Sequence, residues 1–247
     1  MLSPLSTTVS ETRPLATESN SISDVDIYDK LISAILDHRL VPGTKLVEDK
    51  LASVFGVSRT RIRPVLVRLA NESIITLRPN KGAIVAEPTP QEAQEIFEVR
   101  RMIEPTLVTR FIDAASESDV QTLRQLIDNE ETARLQGDRH RAIRQSGEFH
   151  LWIAEKSGHA TLGRVLSELV SRTSLILMTY GQTDPAENAH QAACGCSAHR
   201  ALVDAIRLRI PEQAQRLMQE HLQEIERSLV WERPDAIKND LHTLLRV

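Results

Sequence analysis

Three histidines and one run of arginines are the residues of this chain whose types and spacing can do chemistry. His150 follows Phe149 and lies beside Ile153 and Ala154; His199 precedes Leu202, Val203 and Ile206 at helical spacing; His221 stands four residues after Leu217 and four before Ile225. Each imidazole therefore falls on the inward stripe of its own helix, and the three helices differ. Three imidazoles converging inside a helical bundle make a metal site of the kind used for zinc or nickel. Three separate core histidines, each with its own hydrogen bond, would produce the same pattern. The arginine run is Ser58-Arg59-Thr60-Arg61-Ile62-Arg63. Ser58 suits an N-cap, so the helix it opens would carry cations and hydroxyls on its first turns. Such a helix end fits the DNA major groove, where Arg reads guanine edges and Ser, Thr and backbone N–H groups hold phosphates.

The elements that must position these groups can be traced around them. Gly56 separates two amphipathic pieces, at a point where a helix stops and a left-handed turn is needed. Ala52 is small enough to let a second helix cross nearby, and Leu51, Phe55, Val57, Ile62 and Val65 occupy the inward positions of a helix-turn-helix. Downstream, Ile74-Ile75-Thr76-Leu77 and Ala83-Ile84-Val85 flank the turn Arg78-Pro79-Asn80-Lys81-Gly82. Two β-rich runs around such a turn predict a hairpin, and a hairpin directly after a recognition helix is a wing.

Charge distribution agrees with nucleic-acid binding although net charge does not. The whole chain of 247 residues carries -4, but Tyr28 to Val85 holds ten Lys/Arg against five Asp/Glu, which leaves the remainder at -9. A basic module on an acidic body is the asymmetry expected of a regulator with a separate sensing part. Aromatics make up only 3% of the chain, so its cores must rest on Leu, Ile, Val and Ala, as in helical bundles. No apolar run approaches the about 18 residues of a membrane span. The first residues lack a basic n-region and an apolar h-region, so no secretory signal is expected. Cys194 and Cys196 are one residue apart, an awkward spacing for a disulfide, and a reducing cytoplasm is expected. Cys194-Gly195-Cys196 also lacks the second pair of a zinc site and is read as an incidental loop feature.

In chain order, residues 1–26 are rich in Ser, Thr and Pro and are expected to form a disordered leader. Residues 27–86 are expected to form a winged helix-turn-helix of three helices and a β-hairpin, the first helix starting at about Ile27. Residues 87–91 follow as a linker. Thr89-Pro90-Gln91-Glu92 has the form of a capping box with Pro at the first helical position. From there to residue 231 the periodicity predicts helices near Pro90–Ala114, Asp119–Leu135, His140–Lys156, Thr161–Met178, Asn188–Arg207 and Pro211–Trp231. The fold class is thus mainly α: a winged unit followed by an all-α bundle of about six helices. Residues 232–247 make a tail with one amphipathic piece at Leu241, Leu244 and Leu245. His38, His140, His159, His190 and His242 are read as surface or capping residues.

Several runs carry a family resemblance. Leu40-Val41-Pro42-Gly43-Thr44-Lys45-Leu46, Leu51-Ala52, Gly56-Val57-Ser58-Arg59-Thr60, Arg63, Leu66, Leu69 and Asn80-Lys81-Gly82-Ala83, in this order and at these spacings, resemble the GntR family of bacterial transcription regulators. The resemblance implies that Arg59, Thr60 and Arg63 face DNA and that Gly82 and its neighbours Asn80 and Lys81 place the wing tip in the minor groove. Two departures stand out. Arg61 replaces a frequent Pro and adds a candidate phosphate or base contact; Pro64 replaces a frequent Glu and should bend the helix.

The second half resembles the FCD (FadR C-terminal) domain through Phe149-His150, Ser157-Gly158, the run from His199 to Ile206 and Met218-Gln219-Glu220-His221-Leu222. This resemblance implies a metal held by His150, His199 and His221. It also implies an Asp one helical turn before the first histidine, where this chain has Ser146, and an effector-carboxylate contact from Arg100 in Glu98-Val99-Arg100-Arg101. With Ser146 in that place, two arrangements stay open: a three-histidine metal site, or histidines that bind the effector directly. The function implied is a cytoplasmic, homodimeric regulator on a palindromic operator, nucleoid-associated when bound to it, controlled by a small organic acid. A metal-dependent enzyme with a DNA-binding appendage is the alternative, but neither a His-Glu metalloprotease spacing nor a Glu-x-x-His repeat is present.

Overall fold

The computed structural model describes residues 22–37, 39–78, 82–181 and 185–231, and only the backbone of residues 185–195. Asn80 and Lys81 of the wing tip, His38, the side chains of His190 and Cys194, His242, and the tail piece lie outside the described residues.

Helix α1 (Asp24–Leu36) starts earlier than the reading of residues 1–26 as leader implied. Ser23 and Asp26 form a capping box, each side chain taking the other's backbone N–H, and this fixes the helix start. Ile27, Leu31 and Ile35 then bury one stripe. The short strand β1 (Lys45–Leu46) leads into α2 (Glu48–Phe55), which ends at Gly56 in the left-handed conformation, φ 64°. Helix α3 (Arg59–Asn71) buries Ile62, Val65, Leu66 and Leu69. Its N-cap is Ser58, but the hydroxyl makes no capping bond; it lies 2.6 Å from the Thr60 hydroxyl instead. Pro64 stands inside the helix, and nothing in the structure explains it.

Strands β2 (Ile75–Arg78) and β3 (Gly82–Val85) form the expected hairpin. The sheet is larger than the hairpin reading allowed, because β1 joins it in the order β1-β3-β2, all antiparallel. Leu46, Ile74, Ile75, Ala83 and Val85 close one core with α1 and α3. Gly82 shows why the wing needs glycine: its φ is +79°, and a Cβ there would lie 2.7 Å from the Leu46 carbonyl oxygen.

The body comprises, among the described residues, α4 (Pro90–Ala114), α5 (Glu117–Leu135), α6 (Arg139–Lys156), α7 (Ala160–Tyr180), α8 (Pro185–Arg207) and α9 (Pro211–Arg227). The six-helix reading holds, with the Thr89/Glu92 capping box and Pro90 opening α4 as expected. At α5 and α9 the boundaries differ for local reasons, and the loop reading of Cys194-Gly195-Cys196 is corrected. Ser116 caps α5 through Asp119, so that helix begins at Glu117. Residues 194–196 lie within α8 and not in a loop. Helix α9 stops at Arg227 because the Val230 N–H turns away to the Tyr180 carbonyl, with Trp231 on the Tyr180 ring. His159 does cap α7, accepting from the Leu162 N–H. Phe111, Leu123, Ile127, Phe149, Ile153, Leu202 and Met218 lie in the shared core. No helix among the described residues is long and apolar enough to cross a membrane.

Gly82→Ala should cost about 1–3 kcal/mol of stability through its left-handed backbone plus the clash with Leu46. Gly137→Ala, also at positive φ but with no atom within 4 Å of the added Cβ, should cost less. Urea unfolding of the two variants checks the order.

Candidate metal centre, anion cavity and nucleic-acid interface

The three histidines come together. Their ligand atoms all lie within 4.8 Å of one another, on α6, α8 and α9, and all three side chains are buried. His199 Nε2 and His221 Nε2 face each other at 3.0 Å, and the His199 ring stacks on Phe149.

Two carboxylates that the sequence reading passed over hold the cluster in place. Glu104 on α4 takes the Nδ1–H of His150 at 2.6 Å, and Glu130 on α5 takes that of His199 at 3.0 Å. Each carboxylate is also paired with an arginine one turn away: Glu104 with Arg100 at 2.6 Å, Glu130 with Arg134 at 2.6 Å. Burial alone would push both carboxyls up, but Arg100 and His150 at one, and His199 and Arg134 at the other, hold them below the usual carboxylate range. Burial pushes the other way on the imidazoles. It lowers His150 against the pull of Glu104, and lowers His221 well below its ordinary value with help from the neighbouring imidazoles.

Ionised carboxylates accept only, so they fix the tautomer of their partners: Nδ1 carries the proton and Nε2 presents its lone pair to the centre. The 3.0 Å gap between His199 and His221 compares with the about 3.3 Å that separates two nitrogens on a tetrahedral ion with 2.0–2.1 Å bonds. The residues present therefore fit a divalent ion. Both carboxylates left a trace in the sequence. Glu130 continues the α5 stripe Leu123, Ile127, and Glu104 follows Arg100 by four on the buried face of α4 with Phe97, Leu107, Val108 and Phe111.

Beside His150 lies a small cavity of about 70 Å³. Arg100, Ser146, His150, Thr173 and Ser174 line it, so the structure brings both sequence-predicted effector residues to one wall. Arg100 gives Nε to Glu104 and Nη1 to Thr173 at 3.2 Å; its Nη2 is buried with no hydrogen-bond partner among the described residues. A buried guanidinium N–H without an acceptor can take one from a ligand, and a carboxylate would suit it. The cavity also touches the winged unit. Leu36 of α1 is part of its wall, and Arg144, another wall residue, reaches Asp37 at the end of α1 at 2.8 Å.

At the other end of the molecule, Ser58, Arg59, Thr60 and Arg63 stand exposed on the first turns of α3, with Gly82 at the start of β3. Arg61 differs from them. Its guanidinium binds Asp24 at 2.7 Å and the Ile22 carbonyl at 2.6 Å, which ties α3 to the start of α1.

A recognition helix and wing on a helical body with a buried imidazole cluster define a class: winged-helix regulators that carry an all-α sensing part. The model described as bacterial regulatory proteins, gntR family, matches residues 24–85, and that of the FCD domain matches residues 95–224. The chain belongs to the GntR family, in the branch that carries an FCD domain. The HTH-type transcriptional regulator McbR of Escherichia coli (strain K12) is 27% identical over 149 residues, 60% of this chain and 67% of its own length. The HTH-type transcriptional repressor RspR of the same strain is 25% identical over 214 residues, 82% of this chain and 87% of its own. YdhC of Bacillus subtilis (strain 168), an HTH-type transcriptional regulator, is 26% identical over 146 residues, 59% of this chain. The match spans 65% of YdhC's length. The solved structure of E. coli McbR/YncC shares the fold, with a TM-score of 0.72 at 23% identity over 81% of this chain and 93% of that one. The fold and the relatives are those of transcription regulators and not of enzymes.

Removing one member of a buried charge pair strands the other, which costs about 3–5 kcal/mol, whereas an exposed pair is worth about 0–1 kcal/mol. Glu104→Leu, which orphans Arg100, should therefore lower unfolding stability far more than Asp128→Ala, which removes an exposed Arg200 contact. Equal losses in urea titrations would show that the Arg100–Glu104 pair carries no more than a surface pair.

Proposed function

We propose that the chain is a DNA-binding transcription regulator whose affinity for its operator is set by a small carboxylate bound in the helical body. The observation that carries this is the buried, unpartnered Nη2 of Arg100, a residue that lines a cavity which the winged unit helps to wall. The effector carboxylate would take that N–H, with the Ser146 and Thr173 hydroxyls beside it. His150, His199 and His221 would hold a divalent ion, zinc or nickel, which when bound offers a Lewis-acid contact to the same carboxylate. In this arrangement Ser146 supplies no charge, and Glu104 and Glu130 are already paired with Arg100 and Arg134, so the ion's charge would be balanced chiefly by the effector. The second reading, in which the histidines contact the effector without an ion, draws on the same 3.0 Å His199–His221 spacing, which also suits a hydrogen bond between neutral rings.

On the DNA side, Ser58, Arg59, Thr60 and Arg63 would enter the major groove, with Asn80, Lys81 and Gly82 at the minor groove. Arg61, sequestered by Asp24, would contribute through the fold of the unit more than through direct contact. A homodimer with two-fold symmetry would meet a palindromic operator, both half-sites read by the same helix. The setting would be the cytoplasm.

Coupling runs through the seam. An effector larger than the cavity would displace Leu36 or Arg144, and Arg144 holds α1 through Asp37. By linkage, operator and effector must change each other's affinity by the same factor.

Two outcomes are expected. Elemental mass spectrometry of the tag-free protein should find near-stoichiometric zinc or nickel, lost in His199→Ala; absence of metal even after soaking would favour direct histidine contacts. Duplexes selected in vitro by the protein should change affinity when a panel of mono-, di- and hydroxycarboxylates is added. Arg144→Ala should leave binding of the selected duplex near wild type while shrinking that response at least about threefold, a fraction of the 1–3 kcal/mol typical of coupling. An undiminished response would remove Arg144 from the coupling path, and no response to any acid in the wild type would overturn the effector reading.

A further inference from the structure

The three arginines at the start of α3 are not equivalent, and their carboxylate partners explain the difference. Arg61 is spent, with Nε and Nη2 both engaged by Asp24 and Nη2 also by the Ile22 carbonyl. Arg59 meets Asp49, also in the first turn of α2, at 2.8 Å, but both side chains are mostly exposed. Arg63 is held differently. Its Nε donates to both oxygens of Glu48, at 2.9 and 3.1 Å, and its Nη1 and Nη2 have no partner among the described residues.

Glu48 is suited to act as an anchor. It is the first residue of α2, where the helix dipole favours a carboxylate, and its side chain is 24% exposed against 67% for Arg63. The helix beneath it is set against α3 by Leu51 and Phe55, which pack on the winged core. Arg63 thus projects from a sheltered carboxylate at a helix start, with Nη1 and Nη2 making no hydrogen bond of their own among the described residues. Guanine offers O6 and N7 side by side in the major groove, and two guanidinium N–H groups on one edge match them. Gripping Nε orients that fork and removes rotamer freedom that binding would otherwise have to remove. The same carboxylate repels phosphate, which discourages Arg63 from serving as an unspecific tether.

The geometry points to Glu48 as a positioning residue for base readout, a specificity determinant that acts through Arg63. This rests on the reading that Arg63 faces DNA, and the experiment separates the two. The full chain selects a duplex from a random library, and its affinity for that duplex and for a random-sequence duplex is measured by fluorescence anisotropy over a range of salt. Each guanine of the selected duplex is then replaced by 7-deazaguanine, which removes the N7 acceptor.

In the wild type, one such replacement per half-site should weaken binding sharply, and Arg63→Ala should abolish that penalty. Glu48→Gln should lower the ratio of selected to random affinity about tenfold, the scale of one misplaced base contact. It should do so by loosening the selected duplex and tightening the random one, with the salt slope on the random duplex steeper by about one phosphate contact. Glu48→Asp keeps the charge at the start of α2 but shortens its reach, so it should fold as the wild type and still lose discrimination. In an Arg63→Ala background, Glu48→Gln should lower discrimination no further. If both Glu48 variants keep the ratio and the 7-deazaguanine penalty while Arg63→Ala loses them, Arg63 reads DNA unaided and the proposal fails. If Arg63→Ala itself keeps the ratio, the DNA-facing reading of Arg63 fails first.

Discussion

Two carboxylates taken out of water, Glu104 and Glu130, impose the arrangement of the helical body. An ion of this size loses several kcal/mol of hydration on burial, and only close, correctly aimed partners recover it. Each glutamate therefore needs an arginine one turn along its own helix and an imidazole from another, which draws α4 to α6 and α5 to α8. His221 on α9 completes the group by facing His199. Five helices that share an apolar core thus bring their polar groups together, each buried with a partner. The same pairing fixes which imidazole nitrogen carries the proton, so the constraint that makes the core tolerable also prepares the lone pairs at its centre.

Helix periodicity explains how the cavity and the winged unit come to share a wall. Successive helical residues point about 100° apart, so neighbours on one turn can serve different surroundings. On α7, Thr173 and Ser174 line the cavity while Leu175 is wholly buried in the winged core, with Met178 packed against the same core. On α6, Ser146 and His150 face the cavity while Arg144 spans from it to Asp37. Further along α7, the Tyr180 hydroxyl donates to the Pro88 carbonyl in the connecting segment. A change in where α6 or α7 lies would thus be felt on both sides with no further relay.

Much of this was legible in the sequence because it is written in local rules. Gly56 marks backbone turned to positive φ, Thr89-Pro90-Gln91-Glu92 marks a helix start, and the stripes around His150, His199 and His221 mark inward faces; all of these depend on residues within about two turns of one another. What escaped depends on partners far along the chain. Strand β1 is two residues long and exists only because β3 pairs with it. Glu104 and Glu130 look like ordinary charged positions until His150 and His199, 46 and 69 residues away, are placed beside them. The carboxylates that hold His150 and His199 come from α4 and α5, whereas Ser146, one turn before His150, lines the cavity. The start of α1 is different, because the Ser23/Asp26 box is local and sits at the end of a Ser-, Thr- and Pro-rich stretch that hides it.

Charge pairing recurs on the recognition helix with the reverse consequence, and burial decides which. The Arg100–Glu104 pair has 3% and 1% of its side-chain surface exposed, and neither partner can leave without stranding the other. The Arg59–Asp49 pair has 61% and 66% exposed, so water can replace either partner at a cost of about 0–1 kcal/mol. A guanidinium so loosely held is free to exchange its carboxylate for a phosphate or a base. Arg63 and Glu48 fall between these limits, the carboxylate sheltered and the arginine open. One ion-pair chemistry thus yields a fixed core, an exchangeable surface and, between them, a side chain whose direction is set while its donors remain available.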